Sequence, residues 1–219
     1  QQYPMGRTFL ERAAHRVPPL RILIVDQRPP LFDRASGSQR IFQIMQLLKR
    51  EGHTVCFFAF LEHGFQQYMK ILQSTGVYVV SGAGSGVIED TMQAAIETAK
   101  AKLAVLLASY QPHIVWAEGY KIAIGIADTV RSVAPYASLL TATIDLHFLR
   151  EQRMSELEGS PKTDTKEKEL AIYRQSDAVI AITEKEKDIL MQELPSKLIS
   201  VVPNVHEPEP TPNAFDERK

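Results

Sequence analysis

Cysteine is almost missing from this chain: Cys56 is its single one, set inside an apolar run at 55–60. One thiol forms no intrachain disulfide and no thiolate zinc cluster, and in that setting it reads as a small core residue rather than a reactive group. The scarcity favours a cytosolic address. An excess of one charge is lacking too. The formal net charge is −1, so bulk electrostatics recruits no nucleic acid. No apolar run approaches the ~20 residues of a spanning helix, and a peripheral membrane contact is compatible with that. Residues 1–19 carry Arg7, Glu11, Arg12 and Arg16 without a signal-peptide apolar core, and read as a linker or chain edge. There is no P-loop, no Gly-x-Ser-x-Gly elbow and no His-Glu-x-x-His zinc pattern, which removes the commonest routes to phosphate, acyl and metal-assisted chemistry.

What the chain does have is alternation. Hydrophobic residues make up 44% and charged residues 23%, as in a folded globular protein, and short β-type runs alternate with helical ones. The run 20–26 (LRILIVD) is apolar without a break from Ile22 to Val25, as expected of a strand buried on both faces. Further strands are expected at 53–60, 77–80, 113–116, 138–144, 178–182 and 198–202. Between them, Ile41, Ile44, Met45 and Leu48 share a helical face that Gly52 ends, and Met92, Ala95, Ile96, Ala99, Leu103 and Leu106 share another. A helix through Ile122, Ile126 and Val130 stops at Pro135, and a polar helical stretch at 147–173 is interrupted near Gly159-Ser160-Pro161. Thr183-Glu184-Lys185-Glu186 spells a capping box. The pattern predicts one α/β domain over 20–205, a doubly wound, Rossmann-like parallel sheet of about seven strands. Residues 206–219, with Pro208, Pro210 and Pro212, read as a linker.

Such sheets bind ligands beyond the carboxyl ends of their strands, near the point where strand order reverses. After the first strand, Ser36, Gly37 and Ser38 lead into a helix whose free N–H groups suit a phosphate, with Arg34 and Arg40 as added charge. The same residues also read as an ordinary helix start with Ser36 as N-cap. Gly82-Ala83-Gly84-Ser85-Gly86 places Val87 where a dinucleotide fingerprint needs glycine, and reads as a strand-to-helix loop. After the fourth strand, Glu118 could meet a polyhydroxyl ligand or cap the loop, with Tyr120 beside it. After the fifth come Asp145, His147, Arg150 and Arg153. There Asp145 could accept a proton or orient His147, and the arginines could hold phosphate or carboxylate. Equally, Asp145 could be an N-cap amid surface ion pairs. His53 and His113 read as structural, and 162–169 as a solvated helix face.

Taken in order, three stretches resemble the retaining GT-B glycosyltransferases of family 4 (glycosyl transferases group 1). They are the strand Leu20–Asp26 with Pro29-Pro30 through Ser38 and the helix end Leu48 to Val55, then Asp145 to Arg153, similar to a stretch of a bacterial subgroup, and last Ser176 to Glu184 with Val201-Val-Pro203-Asn204-Val-His206. The resemblance spans about 20–207. It implies transfer of a sugar from a nucleotide-sugar donor to a sugar or lipid-linked acceptor in carbohydrate biosynthesis. It also implies an acceptor-side first domain and a donor-binding second domain beyond the linker, with little turnover from the first alone. By that resemblance Ser36, Gly37 and Ser38 face the donor phosphates, Glu118, Tyr120, Arg150 and Arg153 bind the acceptor, and Asp145 and His147 are catalytic. The family often has paired glycines where this chain has Ser36-Gly37-Ser38, and a histidine where it has Asp145. No Asp-x-Asp pair is present, and neither a metal nor another cofactor is expected. Two other readings share the fold: half of a sugar-nucleotide epimerase, and a non-catalytic binding module.

Overall fold

The computed structural model describes residues 18–61, 64–83, 92–158 and 164–205. Seven strands form one sheet: β1 (Arg21–Asp26), β2 (Thr54–Leu61), β3 (Tyr78–Ala83), β4 (Ile114–Glu118), β5 (Ser138–Ala142), β6 (Ala178–Ala181) and β7 (Leu198–Val201). Their order is β3-β2-β1-β4-β5-β6-β7 and every pairing is parallel. Strand order therefore reverses between β1 and β4, the central pair. The seven expected strands are all present, within a few residues of the expected bounds. The helices are α1 (Ser36–Arg50), α2 (Gln66–Ser74), α3 (Met92–Tyr110), α4 (Tyr120–Val133), α5 (His147–Glu158), α6 (Thr165–Gln175) and α7 (Glu184–Glu193).

The central strand shows why its run is unbroken by polar residues. Leu23 and Val25 enter one core with Leu103 and Leu107 of α3, Ala123, Ile126 and Val130 of α4, and Tyr173 of α6. Ile22 and Ile24 enter the other, with Ile41 and Met45 of α1 and Leu72 of α2. Both faces are covered, so period-two alternation of polarity disappears. Each fully buried aliphatic side chain here contributes about 1.5–3 kcal/mol.

Helix ends follow local chemistry. Gly52, at φ 89°, closes α1 in a Schellman arrangement: its N–H reaches the Lys49 carbonyl and that of His53 the Leu48 carbonyl, both at 3.0 Å. Thr183 caps α7, its side chain accepting from Glu186 N at 3.1 Å, as the capping box predicts. His53 and His113 are structural, each Nδ1 accepting a β1-region amide.

Three local expectations change. Ser36 is the first helical residue of α1 and Ala35 its N-cap, with no side-chain cap bond, because extended backbone at Ala35 already sets the entry. The helix α2 was not legible, since only Tyr68, Met69 and Leu72 mark its buried face. The solvated face expected at 162–169 holds for Asp164, Lys166, Glu167 and Lys168 but fails at Thr165 and at Glu169, which is fully buried, while 162–163 lie outside the described residues. The glycine loop from Gly84 to Val87, the interruption at 159–161 and the segments 1–17 and 206–219 lie outside the described residues. Among the described residues no helix is long and apolar enough to cross a membrane.

Candidate functional site

The reversal of strand order opens a cleft of about 450 Å³, within the usual range for a small-molecule site. Asp26 and Gln27 reach it from the end of β1, Glu118 and Gly119 from the end of β4, Tyr120 from α4 and His147 from α5. The register pairs Val25 with Ala117, so Asp26 and Glu118 follow one step later on neighbouring strands.

Beneath the cleft lies a buried ion pair. Arg40, on α1, is 1% exposed and Glu118 4%, with Nη1 3.5 Å from Oε1. Arg40 Nη1 also donates to the Thr143 carbonyl at 3.3 Å, and Trp116 Nε1 donates to Glu118 Oε2 at 2.8 Å. Arg40 Nε and Nη2 and Glu118 Oε1 meet no hydrogen-bond partner among the described residues, nor does Asp145 Oδ1 on the far side of the cleft. Arg40 is therefore an interior counter-charge rather than the exposed phosphate contact suggested by its place in the loop. Burial raises the Glu118 carboxyl above its usual range, with Arg40 and Trp116 opposing. Asp26 is pushed up to about 8, first by loss of solvent and then by the Glu118 charge.

At the cleft's other side, the imidazole of His147 packs edge-on to Tyr120 with ring centroids 4.9 Å apart. Oxygens surround its Nδ1: the Asp145 carbonyl at 3.2 Å, Asp145 Oδ1 at 3.1 Å and Glu169 Oε1 at 3.9 Å. Acceptors on that side hold a proton on Nδ1 and leave Nε2 as the ring's acceptor. Asp145 is held in turn by Arg150 Nη1 at 2.6 Å. Glu169 of α6 accepts the N–H groups of His147 and Phe148 at 3.3 and 3.0 Å, closing the start of α5. Its carboxyl is raised by burial, against hydrogen bonds from Tyr173 and these amides.

The expected site residues thus fall into three places. Glu118, Tyr120 and His147 share the cleft. Asp145, Arg150 and Arg153 line a second groove of about 500 Å³, which Thr183 and Glu186 also border. Ser36, Gly37 and Ser38 open α1, whose first turn has neither a side-chain cap nor an acidic residue. A Cβ at Gly37 would lie 3.8 Å from Ile144, and one at Gly119 3.3 Å from the same side chain. Ile144 therefore bridges the α1 start and the cleft. Sequence reasoning did not single out Asp26, Lys100, Lys121, Gly125 or Glu169. For Asp26 a signal existed, as the acidic residue that ends the apolar run Ile22 to Val25 of the central strand.

No family model and no curated protein matches the chain. Solved structures do. Sucrose-phosphate synthase from Thermosynechococcus elongatus superposes with a TM-score of 0.61 at 13% identity, over 84% of this chain and 48% of that one. Anabaena HepE in complex with UDP and glucose gives 0.56 at 15%, over 86% and 45%. A putative UDP-N-acetylglucosamine 2-epimerase from Listeria monocytogenes gives 0.55 at 12%, over 84% and 45%. The chain spans a little under half the length of these proteins. At such identities the likeness is one of fold, and the fold is the Rossmann-like half of a GT-B architecture.

Proposed function

We propose that this chain is the acceptor-side half of a glycosyltransferase that takes its sugar from a nucleotide-sugar donor. The observation that carries this reading is the cleft at the β1/β4 reversal with His147 on its wall, its Nδ1 meeting the Asp145 backbone carbonyl with the Asp145 carboxylate alongside. In the proposed reaction the acceptor oxygen forms a bond to the anomeric carbon as the sugar–phosphate bond breaks, and the electron pair leaves with the nucleotide. His147 Nε2 takes the acceptor proton, Asp145 positions the ring, and Arg150 holds Asp145. The N–H groups of Ser36, Gly37 and Ser38 suit the donor phosphates. A complementary α/β unit supplies the remaining donor contacts, and no resident metal takes part.

The test is release of nucleoside diphosphate from sugar nucleotides by the chain together with its donor-binding unit, in the presence of acceptor. His147→Ala is expected to lower turnover by about 10²–10⁴-fold. Asp145→Ala lowers it less, because the carboxylate beside the ring is lost while the backbone carbonyl that meets Nδ1 and the proton acceptor itself are kept. Full activity in both variants sinks the assignment. Conversion of the sugar nucleotide without any acceptor instead supports the epimerase reading, which the Listeria fold likeness keeps in view.

A further inference from the structure

The cleft is walled mainly by carbon. Phe60 comes from the end of β2, Ile96 from α3, Ile122 from α4 and Ile144 from the turn after β5. Only Glu118 among its charged side chains is buried, and it stands beside Asp26 where β1 and β4 end. Polar groups also line it, Asp26, Gln27, Glu118 and His147 at or just past the strand ends and Lys100 and Lys121 on the helices. A free sugar presents hydroxyls around most of its rim, and those turned to the carbon walls would stay unpaired.

Gly125 adds an independent observation. It lies in the interior of α4, half-buried and on the cleft wall. Among the described residues, a Cβ built there meets nothing within 4 Å. Glycine weakens a helix interior relative to alanine, and no described neighbour requires it here. What the missing side chain leaves is bare backbone facing open cleft, a flat floor for an apolar body.

We propose that the acceptor is a carbon-rich alcohol, its apolar body laid over Gly125 between Ile122 and Ile144 and its hydroxyl turned toward Asp26, Glu118 and His147. This rests on reading the cleft as the acceptor side. The alcohol's proton passes to His147 Nε2 as its oxygen bonds the anomeric carbon and the sugar–phosphate electron pair leaves with the nucleotide. Asp26, whose carboxyl burial pushes up to about 8, offers the hydrogen bond that fixes the alcohol's orientation.

Binding of 2-naphthol to the full 219-residue chain, followed by its fluorescence, tests this. Saturable binding is expected, displaced by farnesol and not by a large excess of glucose or maltose. Gly125→Leu fills the floor and weakens binding by at least about tenfold; Gly125→Ala weakens it less. Both variants unfold at temperatures no lower than the parent, since both residues are better helix formers. Displacement by glucose as effective as by farnesol overturns the proposal. So does unchanged binding in Gly125→Leu, or no saturable binding of either alcohol. Alcohol binding without any transfer from a sugar nucleotide once the donor-binding unit is added refutes the transferase reading alone. Transfer to a free sugar without alcohol binding refutes this inference alone.

Discussion

Arg40 and Glu118 carry opposite charges into the interior beneath the strand reversal, and each keeps atoms without a hydrogen-bond partner among the described residues. Neither is tolerable there alone. Replacing Arg40 by Met strands the Glu118 carboxylate, and the expected loss is about 3–5 kcal/mol in urea unfolding. The double variant Arg40→Met/Glu118→Gln recovers most of that loss, because both charges go together and Trp116 keeps an acceptor. A single-variant cost near zero would mean that water reaches the pair. Asp26 gives a pH signature. Its carboxyl is raised from 3.8 to about 8, so the native protein holds a proton that the unfolded chain releases. Stability carried by that proton is full below about pH 4 and is lost as pH rises through about 8. Asp26→Asn removes the cost of ionisation. The variant and parent are expected to melt together at pH 4, with the variant melting higher at pH 9. Equal offsets at both pH values would show Asp26 ionised throughout.

At the scale of elements, α5 begins under the control of α6. Glu169 accepts two amides at the start of α5 and the hydroxyl of Tyr173 at 2.8 Å. Glu169→Ala removes the cap and orphans Tyr173, and is expected to cost about 2–4 kcal/mol by urea denaturation. Thr183→Ala on α7 removes one cap bond and costs about 1 kcal/mol. The contrast between these two residues also shows what a sequence discloses. Thr183 and Glu186 lie within one helical turn, so their capping box is written locally. So is β1, whose continuous apolar run announces burial on both faces. Glu169 meets its partner amides 22 and 21 residues away, and nothing in its charged neighbourhood marks it as buried. The Glu118–Asp26 pair depends likewise on strand order. Alternation of elements disclosed the order of β1 to β7, and the rule for parallel sheets pointed to Glu118, Tyr120 and His147. The separation of Asp145, Arg150 and Arg153 into a second groove came only from how α5 lies against α7.

Across the whole molecule, the two cores share the same strands, which makes cooperative unfolding the natural expectation. Cys56 is a built-in reporter of it. The residue lies in β2, paired with Leu23 of β1 on one side and Tyr78 of β3 on the other, and is 1% exposed. Burial pushes its thiol up to about 12, and only the thiolate reacts quickly with a disulfide reagent. Native protein is therefore expected to resist Ellman's reagent at pH 8, while unfolded chain reacts freely. Across a urea gradient, labelling of Cys56 and loss of far-ultraviolet circular dichroism should trace one transition. That coincidence would mean β1, β2 and β3 open only with β4 to β7. Labelling at lower urea than the loss of dichroism would mean that the β3-β2-β1 side opens by itself. Since the cleft takes Asp26 and Phe60 from that side and Glu118 and His147 from the other, such opening would take the cleft apart before the rest of the fold.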